Sequence, residues 1–73
     1  MNAEDFKEGD RVVYVPIHAH GDIGHKDVEH GTVSSINEKN VFVRFDATVE
    51  RLGWDGTTAQ ACYPWSLMKE PTK

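Results

Sequence analysis

The segment Gly31-Thr-Val-Ser-Ser-Ile-Asn-Glu-Lys-Asn-Val-Phe-Val-Arg-Phe-Asp46 constrains the fold of this chain more than any other. Residues 32–36 and 41–45 are two β-rich runs. The polar residues 37–40 between them form a loop short enough to close an antiparallel hairpin. Alternation along the second run sets Val41, Val43 and Phe45 on one face and Phe42 with Arg44 on the other. The first run has Val33 and Ile36 as its apolar residues, and the serine pair between them reads as a bulge or a sharply twisted stretch. With 73 residues in all, the chain has room for one small domain around this hairpin, its ordered core over about 9–70 and its ends (1–6 and 70–73) frayed.

The flanking sequence adds short strands. Gly9-Asp10 is a turn pair, and Arg11-Val-Val-Tyr-Val15 after it is a β-branched and aromatic run that Pro16 ends or places at an edge. Residues 17–30 show neither a 2-residue nor a 3.6-residue period and read as a long loop. Around residues 46–58 two readings stay open. Asp46 or Thr48 caps a helical turn ending near Gly53, or Asp55-Gly56 turns a hairpin between 52–54 and 57–62; both hold if the helical turn comes first. A strand over 58–62, a 3₁₀ turn at Tyr63-Pro-Trp-Ser-Leu67 and a last strand over 68–70 complete the chain. The expected fold is all-β: a small SH3-like barrel of about five short strands, with a long first loop and a 3₁₀ turn before the last strand.

On these residues the chain resembles the Tudor/KOW-type SH3-like barrels. The resemblance rests on Gly9-Asp-Arg-Val-Val-Tyr14, Gly31-x-Val33, Val41-Phe-Val-Arg-Phe45 and Cys62-x-Pro64-x-x-Leu67. More narrowly, it is similar to a group of short phage and prophage proteins. These carry a His18-Ala-His-Gly-Asp22 segment, a Val33-Ser-Ser hairpin strand and a Gly53-Trp-Asp-Gly-Thr-Thr58…Cys62-x-Pro64 ending. The resemblance spans residues 9–67 and implies a fold and a phage or prophage origin. It brings no established activity.

Charge and cysteine content narrow the function classes. Twelve acidic residues against eight basic ones give a formal net charge of −4, whereas a generic nucleic-acid binder carries a basic surplus. The one cysteine, Cys62, forms no internal disulfide and suits a reducing compartment. The N-terminus is acidic and lacks the apolar run of a signal peptide, and no apolar stretch is long enough to span a bilayer. A cytoplasmic protein of a bacterial host, without membrane attachment, is the expectation.

Two sets of residues are candidates for function. Trp54, Tyr63 and Trp65, with Phe42 and Arg44, are more aromatic surface than so small a barrel can bury. They point to a partner protein of the host or the phage, with His20 and His25 of the long loop adding polar contacts. Nucleic acid stacked on the same aromatics is the alternative, and edge-strand pairing into a homodimer is a further possibility. The second set is His18, His20 and His25 with Cys62. These residue types suit zinc, although their spacing matches no standard finger and the bland reading is a hydrogen-bonded or solvated loop. No nucleophile elbow, Walker loop or dinucleotide fingerprint is present, and a non-enzymatic binding module without a required cofactor is the expectation, a zinc-stabilised module its further alternative.

Overall fold

The computed structural model describes residues 2–70. Five antiparallel strands form one curled, half-barrel sheet: β1 (Arg11–Tyr14), β2 (Glu29–Ile36), β3 (Val41–Phe45), β4 (Gln60–Cys62) and β5 (Leu67–Lys69), in the order β4-β3-β2-β1-β5. One short helix, α1 (Asp46–Leu52), follows β3, and 3₁₀ turns occupy Ala3–Asp5, Ile17–Ala19 and Pro64–Ser66. The fold is thus a small all-β, barrel-like one, with the long first loop and the 3₁₀ turn before the last strand where the sequence places them.

The central hairpin owes its register to two local devices. Asn37 Oδ1 accepts the backbone N–H groups of Lys39 (2.9 Å) and Asn40 (2.7 Å), while Asn37 N–H donates to Asn40 O, so one side chain closes the loop. The pairing runs Val33 opposite Val43 and then Ser35 opposite Phe42, leaving Ser34 as the extra residue of a bulge. That bulge resets the alternation, so Val33 and Ile36 share a face although they are three apart. Val33 is fully buried, and Ile36 emerges opposite Val41 at the end of the barrel.

Val12, Val33, Val41, Val43, Phe45, Cys62 and Leu67 fill the concave side, with Tyr14 packed against them edge-on to Phe45. Ala3 and Phe6 join the same core, Phe6 being among the largest fully buried side chains. The expectation of a frayed N-terminus over 1–6 therefore does not hold for residues 2–6: the 3₁₀ turn there drops Phe6 inward. Of the C-terminal tail, only Glu70 lies within the described residues, and it is tied down by ion pairing.

Several boundaries depart from the sequence reading. β2 begins at Glu29, taking His30 out of the long loop, because Tyr14 pairs with Glu29 and Val13 with His30. The loop itself is compact, a 3₁₀ turn followed by successive turns. Val13, on the convex side of β1, is fully buried, and within the loop segment Ala19 is buried and Val28 half-buried. The helical reading of 46–52 holds, with Phe45 rather than Asp46 or Thr48 at the N-cap and Gly53 (φ 78°) at the C-cap. The Asp55-Gly56 hairpin does not form. Thr57 instead closes that turn, its hydroxyl donating to Gly53 O at 2.6 Å.

Across the convex side, Arg11 links distant parts of the chain. Its guanidinium donates to both oxygens of Asp46 (2.7 and 2.6 Å), to Thr32 Oγ1 and to Glu70 Oε2, which also contacts His30 Nδ1 at 2.8 Å. The Arg11 hydrogen bonds hold the Asp46 carboxyl below its usual range, and those of His30 and then Arg11 do the same for Glu70. Carboxyls depressed on folding stabilise the fold above their unfolded pKa of about 4, and that contribution is lost as pH falls through the folded values. The melting temperature is accordingly expected to fall below about pH 4, and less steeply in Asp46→Asn, which starts lower at neutral pH. Parallel pH–melting curves for the two proteins would remove Asp46 from the acid response.

Candidate functional site

The aromatics singled out in the sequence separate into two groups. Arg44, on the convex face of β3, lies over the Trp54 ring at 4.4 Å from its centroid, a cation–π contact. Trp54 thus covers Arg44 beside the sheet, while Phe42 is half-buried on the same face of β3. The buried Nε of Arg44 has no hydrogen-bond partner among the described residues.

Tyr63 and Trp65 form the second group. They stack face to face, with ring centroids 4.5 Å apart and planes within 7°. Pro64 between them opens the 3₁₀ turn with its φ already set, and the turn is closed by Ser66 N–H donating to Tyr63 O. Pro64 and Leu67 are buried, so the turn is anchored from below while its two rings stand outside. Tyr63 is 55% exposed and Trp65 71%. A flat, anchored aromatic pair loses little entropy when something docks on it.

The stack stands between two depressions. One is an open cleft of about 680 Å³ between the Tyr63–Trp65 turn, Ile36 and the hairpin loop, and the N-terminal residues Asn2, Ala3 and Glu4. The other, of about 230 Å³, runs from Trp65 to Met68 and Ile17, and Ile17 is 93% exposed. Trp65 lines both, so Ile36, Tyr63, Trp65, Met68 and Ile17 make one discontinuous apolar strip. The larger cleft is rimmed by Glu4, Glu38 and Lys39, two acids and one base. Phe42, Arg44, Trp54, His20 and His25 line neither depression. Sequence reasoning missed Ile36, Ile17 and Met68. Single apolar residues at an edge give no periodic signal, and only the bulge brings Ile36 to the cleft.

The proposed metal set is also redrawn. His18 Nε2 lies 2.7 Å from Asp27 Oδ2, and His25 Nδ1 lies 3.9 Å from the same oxygen. Neither His20 nor Cys62 belongs to this cluster. His20 turns away as the left-handed C-cap of the 3₁₀ turn (φ 51°). Cys62 is in the core because β4 pairs it with Val41, and both point inward. Burial, and then the charge of Glu29, pushes its thiol up, so it stays protonated at neutral pH. His30 is occupied by Glu70.

Compared with known proteins, the chain matches no family model, no curated protein and no solved structure. Among the described residues no helix is long and apolar enough to cross a membrane.

Proposed function

We propose that this protein is a non-enzymatic binding module whose ligand is an extended segment of a partner protein, seated in the cleft beside the Tyr63–Trp65 stack. The stack itself carries this reading: two exposed, coplanar rings on an anchored turn, one of them lining depressions on both sides. Aromatic anchors flanked by apolar wells are what protein hot spots are built from. An extended segment crossing the Trp65 ridge places alternate apolar side chains in the two depressions. Glu4 and Glu38 against Lys39 at the rim, with a net charge of −4 overall, favour a segment that also carries a lysine or arginine. The resemblance to phage and prophage barrels supports a host or phage protein as partner, and the bacterial cytoplasm as the setting. The protonated, buried Cys62 thiol supports the non-enzymatic part.

Selection of random twelve-residue peptides against the folded protein tests this. Peptides rich in apolar residues with a basic side chain are expected. Tyr63→Ala and Trp65→Ala should each weaken them more than about tenfold, roughly 1.4 kcal/mol. Both side chains are exposed, so the variants should melt close to the parent. Equal binding by Trp65→Ala would sink the proposal. The Arg44–Trp54 contact is what favours the nucleic-acid reading instead. Oligonucleotide binding that weakens linearly in log K with log salt, and is lost in Arg44→Ala but kept in Trp65→Ala, would replace a peptide ligand with that one.

A further inference from the structure

Beyond peptide binding, we propose that His18, His25 and Asp27 form a site for a borderline divalent cation of the zinc class. One ligand atom from each residue lies within 4.8 Å of the other two. Two imidazoles and one carboxylate suit zinc, nickel or cobalt, and not calcium or magnesium, which take oxygen ligands.

The hydrogen bonds show how each ligand presents itself. The backbone N–H of Asp27 donates to His25 Nδ1 at 3.0 Å, so that nitrogen holds its lone pair on the side of Asp27. The two imidazole rings meet edge to face, with centroids 5.3 Å apart and planes at 78°, so they do not stack across the space between them. The short contact from His18 Nε2 to Asp27 Oδ2 shares a proton, and a cation takes that proton's place.

Ligand atoms around a tetrahedral zinc stand about 3.3 Å apart, given bond lengths of about 2.0–2.2 Å. The His18–Asp27 pair, at 2.7 Å, opens and the His25–Asp27 pair, at 3.9 Å, closes to meet that value. The third pair, His18–His25, lies within 4.8 Å, so all three ligands belong to one loop and start within reach of a common ion. Binding frees one backbone N–H, that of Asp27, which is exposed and passes to water.

The loop is already shaped for this. Asp22 N–H donates to Ala19 O, His25 N–H to Asp22 O and Val28 N–H to His25 O, a chain of turns from buried Ala19 toward β2. A bound ion joins His18 at the start of that chain to Asp27 near its end, tying the two ends of the loop together. Water completes the coordination, since His20 and Cys62 lie outside the cluster.

Titration of the untagged protein with ZnCl₂, followed by calorimetry and native mass spectrometry, tests the site. One zinc per chain is expected, together with a rise in melting temperature that a chelator reverses. His18→Ala and Asp27→Asn should each lower affinity at least about tenfold, whereas His20→Ala and Cys62→Ser stay within about twofold. No retained ion at about 1 mM ZnCl₂ overturns the proposal. So does zinc binding that survives His18→Ala and Asp27→Asn, or that depends on His20 or Cys62. The Tyr63 and Trp65 variants leave zinc binding unchanged, so this site and the peptide cleft stand or fall separately.

Discussion

Phe6→Ala is expected to leave the protein largely unfolded at room temperature. Phe6 is 1% exposed and packs with Ala3 into the interior cluster, beyond the reach of solvent. Truncating a buried phenylalanine costs about 3–5 kcal/mol through lost transfer energy and the cavity left behind. A single core in a domain under about 80 residues rarely supplies more than about 3–5 kcal/mol in total. The two figures are of the same size, so the variant has little or no net stability left. Phe6→Leu, which keeps most of the volume, should fold and melt lower. The consequence reaches the cleft, because Asn2, Ala3 and Glu4 of the same turn form one of its walls. A circular-dichroism melt of Phe6→Ala within a few degrees of the parent would mean that residues 2–6 do not pack in solution.

That result also bears on what a sequence of this kind discloses. The hairpin was legible because period-2 alternation over 41–45 and the Asn-bounded loop each specify the same register. Agreement between local signals is what makes a segment readable. Phe6 gave no such signal: one aromatic among Asp5, Lys7 and Glu8 has no periodic partner, and the 3₁₀ turn that places it is closed by short-range bonds of Asn2, Ala3 and Asp5 that carry no apolar pattern. The 17–28 loop was opaque for a related reason. Its turns are stabilised one at a time, and its buried apolar positions, Ala19 and the half-buried Val28, are isolated and form no periodic pattern.

The site residues follow the same division. His18 and His25 were visible as part of a histidine cluster, but Asp27 was one acid among several, and only the folded loop selects it. Cys62 was drawn into that set by its chemistry and excluded by strand parity, since its pairing with Val41 fixes its direction. Pro64 marked the turn that carries Tyr63 and Trp65, so the stack was nearly readable. Trp54 and Arg44 group with it by residue type alone, yet their contact forms just past α1, a helix that competes in the sequence with a hairpin at Asp55-Gly56.

Gly31→Ala is expected to be the most damaging small substitution in the sheet. Gly31 is buried in β2, opposite Phe45 on one side and Val12 on the other. A Cβ placed there would stand 2.5 Å from Val43 Cγ1, 2.9 Å from the Arg44 carbonyl oxygen and 3.2 Å from Phe45 Cα. The Val43 methyl has little room to turn away, because Val43 is itself fully buried, and the other two contacts are backbone. Relief therefore requires β2 and β3 to separate where they pair most extensively, and overpacking of this kind costs about 1–3 kcal/mol. In a domain of this size that is a fall of roughly 4–8 °C in melting temperature for each kcal/mol. Gly31→Val adds further volume at the same point and should not fold. Gly9 is the informative control, since a Cβ there meets nothing within 4 Å although its φ is +92°. Gly9→Ala costs only the left-handed backbone penalty of about 1–2 kcal/mol, while Gly31→Ala costs packing and keeps an ordinary φ. Hydrogen exchange separates the mechanisms: Gly31→Ala should expose the amides paired between β2 and β3, and Gly9→Ala should leave them protected. If both variants loosened the same amides equally, the close approach of β2 and β3 at Gly31 would not be what holds the hairpin to the core.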